Sequence, residues 1–139
     1  MIVQLLVALA LAAAAVAVAA VLRRRHRVAG PTQGPSWEAP SQLDRRDFER
    51  PDASWLVVVF TSATCNSCAA MVDKARVLAS DDVAVADVEA AAHADLHARY
   101  GIEAVPITVV ADRAGVVQAS FIGPATATDL WAAVARARS

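Results

Sequence analysis

Cysteine is scarce in this chain. It occurs twice in 139 residues, at Cys65 and Cys68. A disulfide-stapled scaffold needs more cysteines at wider spacing, and two thiols cannot build a four-thiolate zinc site. What remains is one local redox pair, which by itself leaves the compartment open. Excess charge is lacking as well. Lys and Arg number 13 against 14 Asp and Glu, a formal net charge of -1, so there is no electrostatic case for nucleic-acid binding. No internal repeat is visible.

Apolar residues, by contrast, are plentiful at 57%, and the mean hydropathy is +0.42. Much of this comes from Ile2 to Leu22, apolar throughout except for Gln4. As a helix this run would extend roughly 31 Å, enough for a bilayer core of about 30 Å. A cleaved signal peptide is the rival reading. It calls for a charged leading region and a shorter run, whereas here the charges follow the run, at Arg23, Arg24, Arg25 and Arg27. The expectation is an uncleaved single-pass anchor at residues 1–22. The positive-inside rule then puts the C-terminal domain in the cytoplasm, with an outward-facing domain as the alternative. Residues 23–40 carry the basic cluster and then Gly30, Pro31, Gly34, Pro35 and Pro40, the composition of a flexible linker. A folded domain is expected over residues 41–139.

Within that domain Ser41, followed three residues later by Asp44, reads as a helix start with Leu43 and Phe48 as apolar contacts. Trp55-Leu56-Val57-Val58-Val59-Phe60 does not alternate, so it predicts a central strand covered on both faces. A helix is expected from Cys65 to Ala79, a strand from Val83 to Val88, and a helix from Ala90 to Tyr100. Strands follow at Pro106 to Val110 and Val116 to Ile122, joined by Asp112-Arg113-Ala114-Gly115, and a last helix at Thr128 to Ala137. The alternating first part implies parallel pairing through right-handed crossovers. The last two strands imply an antiparallel edge hairpin. The expected fold class is α/β, a central mixed four-stranded sheet flanked by helices and preceded by a transmembrane helix.

In this reading Cys65 follows a buried strand and the loop Thr61-Ser62-Ala63-Thr64, and opens a helix. Unpaired N–H groups and the positive end of the dipole favour a thiolate there. Cys68 lies one turn on and can close a ring with it. Cys65 is thus the candidate attacking thiolate and Cys68 the resolving thiol, with exchange passing through a mixed disulfide.

Residues 41–139 resemble the thioredoxin family. The likeness rests on Val57 to Cys68, on Tyr100-Gly101-Ile102-Glu103-Ala104-Val105-Pro106-Ile107, and on Gly123. It implies that Pro106 is cis and lies beside the cysteines, and that the Val105 backbone pairs with an extended substrate. Physics agrees that an X-Pro bond is the kind that goes cis, and that a residue without an N–H suits the start of a strand. The departures are specific. Thr64 stands where the family usually carries Trp, Asn66-Ser67 replaces Gly-Pro, and Val59 occupies the place of a buried acid that helps move the resolving cysteine's proton. Without the proline the first helical turn is less rigid, and Ser67 offers a hydroxyl near the sulfurs. Proton transfer must then use water or another group, or exchange is slower.

Other constellations carry less. His93 and His97, four apart and preceded by Glu89, share a face of the expected helix and form a candidate metal set, although such a pair more often marks a solvated face and no third ligand is evident. The cysteines themselves could hold copper, as in delivery domains of similar fold, but the resemblance associates a proline such as Pro106 with blocking metal capture. Trp37, Trp55 and Trp131 read as packing residues, Trp131 with Leu130 and Val134 on the last helix.

The sequence therefore predicts a membrane-tethered thiol–disulfide oxidoreductase. Its expected partners are protein thiols or disulfides, a redox donor or acceptor protein, and the membrane through residues 2–22, with no nucleic acid and no cofactor. Cys65 and Cys68 are its catalytic residues, and Thr64, Val105 and Pro106 bind substrate. The alternative is a non-catalytic module that binds a partner or senses redox state.

Overall fold

The computed structural model describes residues 1–4, 12–18 and 37–139. Residues 2–4 and 12–18 are helical. Among the described residues no helix is long and apolar enough to cross a membrane. Half of the expected anchor at residues 1–22 lies outside the described residues, and so do the basic cluster and most of the expected linker. The folded unit runs from Trp37 to Ser139.

Four strands form one sheet: β1 (Trp55–Thr61), β2 (Val83–Glu89), β3 (Ile107–Asp112) and β4 (Val117–Ile122). Their spatial order is β2-β1-β3-β4. β1 pairs in parallel with β2 and antiparallel with β3, and β3 with β4 forms the expected antiparallel hairpin. Three helices accompany them: α1 (Cys68–Arg76), α2 (Ala94–Arg99) and α3 (Ala127–Arg138).

β1 is the central strand that its sequence predicts. Leu56 to Phe60 are all 0% exposed. Side chains of a strand alternate between faces, so the run divides. Leu56, Val58 and Phe60 join Leu43, Phe48, Ile107 and Val109, with Leu96 and Tyr100 from the α2 region against them. Val57 and Val59 join Met71, Val72 and Ala75 of α1 and Leu130 and Val134 of α3. Each such side chain removed from water contributes about 1.5–3 kcal/mol, and both layers depend on the same strand.

The helix expected from Ser41 does not form. Only a 3-10 turn at Arg45–Asp47 appears, and its cap is Asp44, which accepts from the Arg46 N–H. Residues 41–43 direct their backbone groups elsewhere. Val117 donates to the Ser41 carbonyl at 3.0 Å and Leu43 to the Gly115 carbonyl at 2.8 Å, so the segment lies along the β3–β4 hairpin. Gly115 is required there. Its φ is +82, and a Cβ would run into the Leu43 carbonyl. Asp112 holds the same turn by accepting from Ala114 and Val116. Arg45 is buried and donates to the carbonyls of Asp112 and Ala53.

Two further helices are shorter than expected. α1 begins at Cys68 rather than Cys65, and α2 begins at Ala94 rather than Ala90. Ahead of α2 the Glu89 carboxylate accepts from Ala91 and Ala92 in a turn over residues 90–93. Trp131 lies at the rim, 41% exposed, with its indole N–H on the Lys74 carbonyl, while Leu130 and Val134 fill the core.

Tyr100 ties the 3-10 turn to the sheet. Its ring lies against Phe48 and Phe60, its hydroxyl donates to Asp47, and it accepts from the Asp44 N–H at 3.0 Å. Burial, then the hydrogen bond to Asp47, push its pKa up to about 12. A raised value means that folding favours the neutral phenol. The stabilisation is complete below the unfolded tyrosine's pKa of about 10 and is lost as pH rises through the folded value. The chain has one tyrosine, so an ultraviolet titration of phenolate reads this group alone. Ionisation is expected near pH 12. A midpoint near 10 in the folded protein would contradict the assigned environment.

Candidate active site

The register of β1 gathers the site at one end of the sheet. Thr61 ends β1 opposite Glu89 at the end of β2. Phe60 pairs with Ile107, which follows Pro106, and Ile107 pairs with Ile122, which precedes Gly123. The loop after β1, the segment before β3, the chain after β4 and the end of β2 therefore share one edge.

The loop is tied down locally. The Cys65 N–H donates to the Ser62 carbonyl at 3.1 Å, and the Thr64 N–H to the Ser62 hydroxyl at 3.3 Å. The Ala63 N–H donates to Glu89 Oε1 at 3.2 Å. Glu89 thus joins the loop to the turn after β2, and its hydrogen bonds from Ala91 and Ala92 hold its pKa below the usual carboxylate range, with that from Ala63 adding. Its contribution to stability is present above the unfolded pKa and is lost as pH falls through the folded value.

Cys65 and Cys68 are joined in a disulfide, with their Cα atoms 5.5 Å apart. The two sulfurs differ in environment. Cys68, the first residue of α1, is 3% exposed, whereas Cys65 is half-buried. Ser67 precedes α1 without a side-chain cap, and its hydroxyl lies 3.8 Å from Cys65 Sγ. A thiolate at Cys65 would have the N-terminus of α1 on one side and a hydroxyl donor on the other. Both stabilise the anion.

The Val105–Pro106 bond is cis. Pro106 is buried, Val105 is half-buried, and Thr64 is exposed beside Cys65. Gly123 donates to the Pro106 carbonyl at 2.8 Å, which links the two loops. Val59 is fully buried among Met71 and Val72, so the position where an acid was to be sought is apolar in space as well as in sequence.

The histidine pair is not assembled as the sequence reading has it. His93 caps α2 from outside the helix. The His97 ring turns inward, with Nε2 2.8 Å from the Val88 carbonyl and its edge against Phe60. Glu89 is committed to backbone N–H groups. Among the described residues no group of three or more His, Cys, Asp or Glu could hold a metal.

The sequence reading did not single out what lies behind the disulfide. A cavity of ≈ 370 Å³ is lined by Thr61, Cys65, Asp87 and Glu89 and by Cys68, Asp73 and Arg76 of α1. Thr61 donates to Asp87 Oδ1 at 2.7 Å. The available signal was Asp87 itself, a charge interrupting the otherwise apolar Val83 to Val88.

A thioredoxin family model matches residues 43–136. Among solved structures the chain is similar to the germline-specific thioredoxin Deadhead (Thioredoxin-1) of Drosophila melanogaster, with a TM-score of 0.56 and 22% identity over 71% of this chain and 97% of that one. It is also similar to a structure described as a malarial protein, with a TM-score of 0.53 and 15% identity over 60% of this chain and 96% of that one. No curated protein matches its sequence. The fold and the cysteine pair after β1 define a thioredoxin-like α/β domain. The chain belongs to the thioredoxin family.

The unequal burial of the cysteines has a measurable consequence. In the reduced protein, limiting iodoacetamide should label Cys65 before Cys68. The pH dependence of that labelling should give Cys65 a pKa below the free-cysteine value of about 8.5. Equal labelling of both thiols, or a titration like free cysteine, would contradict this reading of the site.

Proposed function

We propose that this protein is a membrane-tethered thiol–disulfide oxidoreductase that exchanges disulfides with protein substrates. The observation that carries the reaction is the Cys65–Cys68 disulfide, which joins a half-buried sulfur to a buried one at the start of α1. In the reducing direction the Cys65 thiolate attacks a substrate disulfide, expels one substrate sulfur and forms a mixed disulfide. Cys68 then attacks Cys65 Sγ, restores the intramolecular bond and releases the second substrate thiol. The substrate gains two electrons and the cysteine pair loses them. Thr64, Val105 and Pro106 border the reactive edge. The proposed role of Val105 is to offer its backbone to an extended substrate segment, in the manner of an added strand.

Tethering is supported by the apolar run from Ile2 to Leu22 and the arginines that follow it. With the positive charges held in the cytoplasm, the domain faces that compartment, where low-potential thiols favour the reducing direction.

Insulin reduction followed by turbidity tests the reaction. The parent chain should accelerate precipitation in dithiothreitol, and Cys65→Ser should reduce the rate to that of reductant alone. Cys68→Ser should accumulate a mixed disulfide visible on a non-reducing gel. A parent chain with no activity under any reductant would leave the domain as a binding or redox-sensing module.

Tethering has its own test. The full chain should stay with membranes after alkaline carbonate extraction, and a protease added outside intact cells should leave the domain whole. Release by carbonate would overturn the anchor, and cleavage from outside would reverse the orientation.

A further inference from the structure

The resolving step needs Cys68 to lose a proton, and Val59, buried on the face of β1 that α1 covers, cannot take one. The β1–β2 register places Val59 directly opposite Asp87. Paired residues of neighbouring strands point to the same face, so the Asp87 carboxylate stands on the face that α1 covers, one strand to the side of Val59. It lines the same cavity as Cys68. Thr61, two residues beyond Val59 on the same face and 5% exposed, donates its hydroxyl to Asp87 Oδ1 at 2.7 Å. That bond fixes the carboxylate and leaves Oδ2 with acceptor capacity. The cavity, ≈ 370 Å³ and open to solvent, has room for several waters.

We propose that Asp87, oriented by Thr61, is the proton acceptor for Cys68 during resolution of the mixed disulfide. The inference rests on the exchange reaction proposed above. The Cys68 thiol passes its proton through water to Asp87, and the Cys68 thiolate attacks Cys65 Sγ. The Cys65–Cys68 bond forms as the Cys65–substrate bond breaks, and the substrate sulfur leaves as a thiolate that takes a proton from the solvent. Asp87 returns its own proton to solvent through the open cavity. Other charged groups share the surroundings. Glu89 on β2 and Asp73 and Arg76 on α1 line the same cavity. Asp47, Glu49 and His93 border a second cavity that Asp87 also reaches. Glu89 is the nearest competitor in kind, but three backbone N–H groups occupy its oxygens.

One equivalent of dithiobis-nitrobenzoate, mixed with the reduced full chain, separates the steps. Attack by Cys65 releases one coloured thionitrobenzoate, and resolution by Cys68 releases the second. Asp87→Asn keeps an oxygen that can accept from Thr61. It should leave the first phase nearly unchanged and slow the second about tenfold or more near pH 7. The difference should narrow as pH rises, because hydroxide increasingly removes the thiol proton without a protein base. Asp87→Glu should restore much of the rate, and Asp73→Asn, at a largely exposed carboxylate of the same cavity, should leave the second phase close to that of the parent.

The direction is itself decisive. A carboxylate acting only through its charge disfavours a nearby thiolate, so its removal would speed the second phase. An unchanged or faster second phase in Asp87→Asn, or an equally slow one in Asp73→Asn, overturns the assignment. A first phase no faster than that of glutathione would instead overturn the exchange reaction on which the assignment rests.

Discussion

The structure depends on the placement of β1. It is paired on both edges and covered on both faces, and Leu56 to Phe60 are 0% exposed. Because the side-chain period is two, a slip of one residue would exchange the sets facing α1 and α2. The Val57 and Val59 layer would then meet Tyr100, and Phe60 would be driven toward α1. Register is therefore strongly specified, and the reactive edge inherits that precision. The loop bearing Cys65 is anchored by where β1 ends, and the cis Val105–Pro106 segment by where β3 begins.

At that edge, two opposing influences act on charge. The start of α1 and the Ser67 hydroxyl favour an anion at Cys65. Carboxylates at Asp73, Asp87 and Glu89 line the cavity beside it and oppose one. They are not equivalent. Glu89 spends its charge on the N–H groups of Ala63, Ala91 and Ala92, which secures the loop geometry. Asp87 has Thr61 on one oxygen. The site thus separates a carboxylate that holds the backbone from one with acceptor capacity facing the cavity.

How much of this was legible follows from which residues carry local signals. β1 was readable because an unbroken run of β-branched and aromatic residues fits only a strand with two covered faces. The edge hairpin was readable because Asp112 and Gly115 have local chemistry that a turn requires. Ser41 misled because the capping pattern there has a long-range competitor, the hairpin edge about 75 residues further on, and only the assembled sheet shows which partner wins. The histidines misled for a related reason. Spacing of four places two residues on one face only if the helix has begun, and here it begins at Ala94, after a turn that includes His93. The neighbourhood of Asp87 was hidden because it depends on the β1–β2 register. No local pattern contains that quantity, although the charge interrupting an apolar strand marked the residue.

The row that crosses the sheet at Val59 shows why charge sits at its side rather than its centre. Asp87, Val59, Thr108 and Phe121 are successive partners on β2, β1, β3 and β4. At the centre, a carboxylate in place of Val59 would be enclosed by Met71 and Val72 and would need compensation for lost hydration. One buried hydroxyl is close in register. Thr108 is 0% exposed, and its Oγ1 has no partner among the described residues. A single hydroxyl offsets little of the desolvation of a charge. β2 is an edge strand, and Asp87 remains in contact with solvent there while reaching the cavity. The aliphatic centre holds the layers together, and the ionisable group stands beside it rather than within it. In this fold, therefore, an acid one strand over can be altered at small cost to the core, which is the physical condition for reading its effect on sulfur chemistry separately from its effect on stability.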